Sequence, residues 1–149
     1  MIEKGTYLVP TLLAPVSVIE FADELGISEV GLQKSKEVMG AHQASFKKAY
    51  DAGVNIAMGT DAGVFKHGTN LRELELMVEA GATPMDAIVI STKNAAECMQ
   101  YEDLGLVKEG YLADFILTEN NPLENIGLLK NNDEIKVVAK EGQILKNIK

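Results

Sequence analysis

The chain has 149 residues, a formal net charge of −8 and 46% hydrophobic residues. This balance is typical of one globular domain and argues against disorder. The negative charge argues against nucleic acid and anionic membranes as partners, because neither would be attracted.

The cysteine content and the N-terminal residues indicate the cellular compartment. Cys98 is the only cysteine, so a disulfide within the chain is impossible, and we interpret it as a structural thiol. The first residues lack the basic region and apolar core of a signal peptide. No apolar run approaches the roughly 20 residues that a membrane span needs. We therefore expect a cytoplasmic protein.

The first third of the chain predicts one strand and two helices. Residues Thr6–Leu13 have the composition of a strand, in which Pro10 must lie at an edge, a bulge or an end because it lacks a backbone donor. Residues Pro15–Leu25 predict a short helix, and Ser28 is typical of the N-cap of a longer helix ending near Ala52. The expected inward stripe of this longer helix is Val38, His42, Phe46 and Ala49, with His42 hydrogen-bonded rather than catalytic.

A short apolar run with an acidic residue at its end is the main functional signal. Residues Val54–Thr60 predict a strand buried on both faces, and Asp61 follows in a glycine-containing loop. Asn70 then predicts the N-cap of a helix, with Glu73 completing a capping box. In α/β folds a loop of this kind lies at the carboxyl end of a strand, where ligands bind.

Two side chains of this loop are candidates for chemistry. Asp61 suits a metal ligand or a general acid or base, and it equally suits a loop residue that caps its own turn. His67 lies six residues later, where a solvated side chain, a substrate contact and metal ligation are all possible. The spacing alone leaves these alternatives open.

The remaining elements change from helical to β-type near residue 103. Leu71, Leu74, Met77 and Val78 form the inward stripe of the helix after the Asp61 loop. The predicted later elements are a helix after the N-cap Thr83, with Ala87, Ile88 and Ser91 inward, a helix over Asn94–Met99, and strands over Ala113–Thr118, Ile135–Lys140 and Gln143–Leu145. The last two strands predict a hairpin through Glu141-Gly142. We therefore divide the chain into residues 1–103, of α/β type, and residues 104–149, a small β part.

Several motifs in combination resemble the amidohydrolase superfamily, in its imidazolonepropionase-like and Xaa-Pro dipeptidase-like (prolidase) branch. The motifs are Ala57-Met58-Gly59-Thr60-Asp61-Ala62-Gly63, His67-Gly68, Asn70-Leu71-Arg72-Glu73-Leu74, Val78 to Ile88, Thr92 to Ala96, and Gly110 to Phe115 with Asn121-Pro122-Leu123 after it. The resemblance covers essentially the whole chain from Gly5 onward.

The resemblance implies a fold and a set of roles. It implies the last two βα units of a (β/α)₈ TIM barrel, with Tyr7–Thr11 as the seventh strand and Val54–Thr60 as the eighth, plus the C-terminal strands of a small β-sandwich. Asp61 would ligate a catalytic divalent metal, by expectation zinc, and transfer a proton. His67 would border the substrate. The implied reaction is hydrolysis of a C–N bond in an amide, dipeptide-like or cyclic amide substrate.

The same resemblance limits what the chain can do alone. The family's other metal ligands belong to strands that have no counterpart in this chain. These ligands are a His-x-His pair, a lysine or glutamate, and two further histidines. We therefore expect weak or absent metal binding. Two hypotheses follow: the C-terminal part of a hydrolase, inactive in isolation, or a non-catalytic remnant that self-associates. Both predict a homodimer or larger assembly through exposed strand edges, or a second chain that supplies the missing barrel half.

Overall fold

A computed structural model describes residues 1–63 and 67–148 as an α/β protein with five α-helices and one small antiparallel sheet. The helices are α1 (Leu13–Glu20), α2 (Glu29–Asp51), α3 (Arg72–Glu79), α4 (Pro84–Ser91) and α5 (Lys93–Cys98). The strands are β1 (Phe115–Thr118), β2 (Ile135–Lys140) and β3 (Gln143–Asn147), and short 3₁₀ helices cover Ile2–Lys4 and Ile126–Lys130. The predicted α/β class is confirmed. No helix among these residues is long and apolar enough to cross a membrane.

Two of the helix starts confirm the caps predicted from sequence. The Ser28 hydroxyl accepts a hydrogen bond from the Gly31 amide at the start of α2. The Thr83 hydroxyl accepts from the Asp86 amide at the start of α4, where Pro84 occupies the first helical position. Each cap satisfies an amide that the helix itself leaves unpaired.

The predicted capping box at the start of α3 is wrong. The helix begins at Arg72 after Leu71 and has no side-chain cap. The Asn70 amide instead donates to the Thr60 hydroxyl at 3.0 Å. The Glu73 carboxylate turns away from its own helix and accepts hydrogen bonds from a distant segment. Long-range partners therefore replaced the local cap.

The two predicted N-terminal strands are extended but do not form a regular ladder. They meet in one isolated parallel bridge, between Leu8 and Ile56. Pro10 cannot donate to a ladder, and the first helix begins only three residues later. The prediction of full strands over Thr6–Leu13 and Val54–Thr60 is therefore wrong in extent, although the parallel pairing is present.

The core joins the helices to the C-terminal region. Its members are Leu12, Leu13, Phe46, Ile56, Leu74, Leu76, Met77, Ala82, Ala87, Ile90, Ile126 and Leu129. Val38 was expected on the buried stripe of α2 but is 57% exposed, because the next residue, Met39, is the half-buried one at this turn of the helix. On α4, Ala87 is buried as expected and Ile90 is buried as well, while Ser91 is half-buried.

The three strands β1, β2 and β3 form the sheet, with β2 at its centre and both pairs antiparallel. The hairpin between β2 and β3 is confirmed. Its turn residues Glu141 and Gly142 have φ values of 49° and 77°, the backbone form that matches the twist of paired strands. The 3₁₀ helix Ile126–Lys130 packs on α3 and contributes two residues to the core. The division near residue 103 stays a prediction.

Candidate functional site

Asp61 stands at the end of the second extended segment, as the sequence predicted. The residue is exposed and has a φ of 55°, a left-handed conformation that is uncommon outside glycine. The preceding Thr60 is buried, and its hydroxyl accepts the Asn70 hydrogen bond described above. A carboxylate on a constrained backbone, open to solvent, is suited to binding or proton transfer. Its assignment as a metal ligand stays a prediction.

The first extended segment supports the Asp61 segment on one side. The Leu8 amide donates to the Asn55 carbonyl at 2.8 Å, and the Ala57 amide donates to the Leu8 carbonyl at 3.0 Å. Gly59 permits the close approach, because a Cβ there would overlap Cγ1 of Val9. The two segments therefore run parallel and end at the same edge.

Helices α4 and α5 bind the other side of the Asp61 segment. The Asn94 side-chain amide donates to the Ile56 carbonyl at 3.0 Å. The Met58 amide donates to the Ile90 carbonyl at 3.2 Å. These bonds satisfy backbone groups that a further strand would otherwise pair. This use of Asn94 was not predicted, because an asparagine in a helix is usually a solvated residue.

His67 is exposed and lies at the far end of the loop that begins after Asp61. The predicted loop from Ala62 to Gly68 includes residues 64–66, which lie outside the described residues. The role of His67 at a substrate stays a prediction.

Glu73 is a buried acidic residue, and its prediction as part of a capping box was wrong. Its side chain is completely buried, and its two carboxylate oxygens accept hydrogen bonds from the Leu12 and Leu13 amides, each at 2.7 Å. Burial raises the pKa of this carboxyl to about 7, although the two amide donors act in the opposite direction. Its spacing of four from Met77 on the inward face was the signal that could have found it.

A surface ion pair accompanies this buried contact. The Arg72 guanidinium pairs with both carboxylate oxygens of Glu20 at the end of α1. The hydrogen bonds from Arg72 lower the pKa of the Glu20 carboxyl. Consecutive residues of α3 thus hold α1 at its first turn and at its last residue.

His42 is hydrogen-bonded and half-buried, as predicted. Its Nε2 lies 2.7 Å from the Pro10 carbonyl oxygen. A carbonyl can only accept, so Nε2 carries the proton and donates. The histidine therefore fixes the backbone at the end of the first extended segment.

The described residues do not form a complete metal site. Within residues 1–63 and 67–148, no group of three or more His, Cys, Asp and Glu side chains could hold a metal ion. A catalytic zinc takes three protein ligands. Asp61 can supply one ligand, so a complete site does not fit this part of the chain.

A cavity lined mostly by apolar side chains lies away from Asp61. It has a volume of about 460 Å³ and lies between α3, α4 and the sheet. Its lining includes Met58, Leu71, Leu74, Ile88, Phe115 and Val138. The candidate site at Asp61 is therefore an open edge of the molecule, separate from this cavity.

Residues 1–145 match the Amidohydrolase family. The chain belongs to this family. Hydrolytic chemistry and metal dependence are general properties of amidohydrolases, whereas the identity of a metal in this chain stays a prediction.

Relatives of known name and structure agree with this assignment. The chain is 35% identical to an ochratoxinase of Aspergillus niger over 98% of this chain and 30% of that protein. It is 26% identical to a 5-methylthioadenosine/S-adenosylhomocysteine deaminase of Dictyoglomus thermophilum, over 95% of this chain and 39% of that protein. A crystal structure of a Xaa-Pro dipeptidase with bound methionine in its active site matches with 41% identity and a TM-score of 0.85.

This amidohydrolase chain is short compared with its relatives. It covers 36% of the Xaa-Pro dipeptidase chain while 99% of its own length is matched. It thus spans about a third of the proteins that it resembles. Their activities belong to much longer chains.

Proposed function

We propose that this chain forms the Asp61-bearing part of an amidohydrolase that cleaves a C–N bond of an amide, dipeptide-like or cyclic amide substrate. The observation that carries the proposal is Asp61 itself, exposed and left-handed at the end of a parallel extended segment. The 41% identity to a Xaa-Pro dipeptidase favours a dipeptide-like substrate. Asp61 would accept or donate a proton during the reaction, and His67 would contact the substrate.

The proposed architecture is the end of a barrel. Tyr7–Thr11 and Val54–Thr60 would be its seventh and eighth strands, and residues 113–148 would belong to a small β-sandwich. Support comes from the parallel Leu8–Ile56 bridge and from the shared edge at which both segments end. Catalytic groups of such barrels lie at this carboxyl edge.

The chain alone is expected to be inactive. The described residues provide no three-ligand group, and zinc must be held firmly to lower the pKa of its water. One carboxylate gives weak binding that suits zinc and manganese alike. Activity would therefore require further ligands from another polypeptide segment.

Zinc titration and a dipeptide panel on the purified chain test this proposal. We expect weak zinc binding and no turnover, and we expect Asp61→Asn to abolish the weak binding. Asp23→Asn is the matched control, since Asp23 is exposed on the turn after α1. Sub-micromolar zinc affinity with turnover that Asp61→Ala abolishes would disprove inactivity. Unchanged zinc binding in Asp61→Asn would remove Asp61 from the site.

A second candidate function is a non-catalytic chain that associates with copies of itself. Exposed apolar side chains on the two edge strands favour it, namely Ile116 and Leu117 on β1 and Ile144 and Leu145 on β3, each between 45% and 64% exposed. Open edges with apolar side chains promote pairing between chains.

Light scattering tests this association. We expect a dimer or larger species, and we expect Leu145→Lys to shift it towards monomer because a lysine on an edge strand opposes pairing. Val107→Lys is the control, because Val107 is 97% exposed but lies outside the strands. A wild-type chain that stays monomeric at high concentration contradicts this candidate.

A further inference from the structure

We propose that His42 and Glu73 are positioning residues for the candidate site: from two different helices they fix the corner Pro10–Leu13, so that Thr11 forms a second wall beside Asp61. The inference rests on the proposed function of Asp61. The candidate site would then include the C-terminal ends of both parallel extended segments, and not the Asp61 loop alone.

Thr11 has a backbone that needs outside support. Its φ is 49°, and a β-branched residue rarely adopts this left-handed conformation. Such conformations persist where the surroundings hold them, and they are frequent at functional sites. Asp61, at the end of the neighbouring extended segment, also has a positive φ. Both segments therefore end in a residue with a left-handed backbone.

The two anchors lie on either side of Thr11. Before it, His42 on α2 donates to the Pro10 carbonyl at 2.7 Å. After it, Glu73 on α3 accepts from the Leu12 and Leu13 amides. Helix α1 has no side-chain cap from its own N-cap residue. The Glu73 carboxylate, 60 residues away in sequence, caps it instead by accepting from the Leu13 amide.

The corner lies next to the extended segment that ends at Asp61. The position of a Cβ on Gly59 lies 3.7 Å from Cγ2 of Thr11. Gly59 precedes Asp61 by two residues in an extended backbone, and Thr11 is itself partly exposed. A shift of the corner would therefore change the wall of the site without altering Asp61 itself.

A purely structural role makes a different prediction. If Glu73 only caps α1, its loss perturbs that helix and leaves the contact between Thr11 and Gly59 in place. If it positions the corner, its loss breaks this contact and shifts the amide resonances of residues 59–61. Nuclear magnetic resonance on the full chain separates the two roles through the Overhauser signal between the Thr11 methyl and the Gly59 α-protons.

The variants form two matched pairs. Glu73→Gln offers one acceptor oxygen where the carboxylate offers two, so we expect the Thr11–Gly59 signal to be lost. The control Glu75→Gln on the same helix removes only an ion pair with Lys130 and should keep the signal. His42→Leu cannot donate and should lose the signal, whereas His42→Gln keeps a donor and should restore it. Unchanged amide resonances in α4 and β2 show that each variant is folded in both the helical region and the sheet.

Each outcome decides the proposal. A signal absent from the wild type, or retained in both Glu73→Gln and His42→Leu, overturns it. Loss of the signal in only one of these variants overturns the shared role of His42 and Glu73. If Glu73→Gln does not fold, the comparison of His42→Leu with His42→Gln decides alone. Loss in the Glu75→Gln control also overturns it. The readout involves neither metal nor substrate, so a failed zinc titration at Asp61 would be distinguishable from a failure of this inference.

Discussion

The helical region and the C-terminal sheet are stabilised in different ways. In the helical region, Glu73 and Met77 are completely buried and Leu74 is 2% exposed. In the sheet, Leu117 on β1 is 53% exposed and Leu145 on β3 is 64% exposed. Packing and long-range polar anchors fix the first region, whereas backbone pairing around β2 holds the second. The candidate site belongs to the region with the tighter core, so its geometry should tolerate changes in the sheet.

Truncation of a buried side chain should lower the free energy of unfolding far more in the helical region than truncation of an exposed side chain does in the sheet. Phe46 is 1% exposed and stacks on Tyr50 with ring centroids 6.1 Å apart. We expect Phe46→Ala to lower the free energy of unfolding by about 3–5 kcal/mol, because it removes buried area and leaves a cavity. For the monomer, we expect Leu145→Ala on β3 to change the free energy of unfolding by no more than about 0.5 kcal/mol. Urea denaturation followed by circular dichroism measures both.

Similar losses in the two variants would contradict this contrast. A large loss for Leu145→Ala would show that β3 is buried in solution, as it would be in an assembly. The measurement is therefore made at several protein concentrations, since the stability of an assembled chain depends on concentration.

The next effect in size is a pH dependence confined to the helical region. The Glu73 pKa is raised from about 4.5 to about 7, so the folded chain holds a proton that the unfolded chain releases between these values. The free energy of unfolding should therefore fall as the pH rises from 4.5 to 7, by about 3 kcal/mol at 1.36 kcal/mol per pKa unit. Denaturation at pH 5 and pH 8 measures this change.

Glu73→Gln is the control for this pH dependence. It cannot ionise, so the difference in stability between wild type and variant should itself vary between pH 5 and pH 8. The other ionisable groups are present in both proteins, so their contributions to the pH dependence cancel in the difference. A difference that is constant with pH would show that Glu73 keeps one protonation state across the range.

Local signals in the sequence predicted most of the helices and the hairpin. Ser28 and Thr83 marked their helices because a cap acts within three residues. The hairpin of β2 and β3 was predicted from Glu141-Gly142, a two-residue turn between two runs of strand-forming residues. Asp61 was found as a strand-end carboxylate from the same kind of local pattern. These features depend on neighbours in sequence.

Long-range contacts explain what the sequence did not predict. Asn70 and Glu73 matched a capping box, yet their partners are Thr60 and the start of α1. A motif of four residues cannot report that a helix more than fifty residues earlier has unpaired amides. The predicted strands were overextended for a related reason, since a ladder depends on neighbours that composition does not reveal. The part of the site formed by Thr11 was missed with them.

The smallest effect tests whether the two regions are coupled at all. Lys130, in the 3₁₀ helix before β2, pairs with Glu75 on α3 at 2.6 Å, and both side chains are partly exposed. We expect a double-mutant cycle of Glu75→Gln and Lys130→Met to give a coupling of about 0.2–1 kcal/mol that decreases in high salt. Burial of Ile126 and Leu129 beside this pair already joins the regions. A coupling of zero would therefore mean that apolar packing alone connects them, whereas a coupling well above 1 kcal/mol would mean that the ion pair is shielded from water.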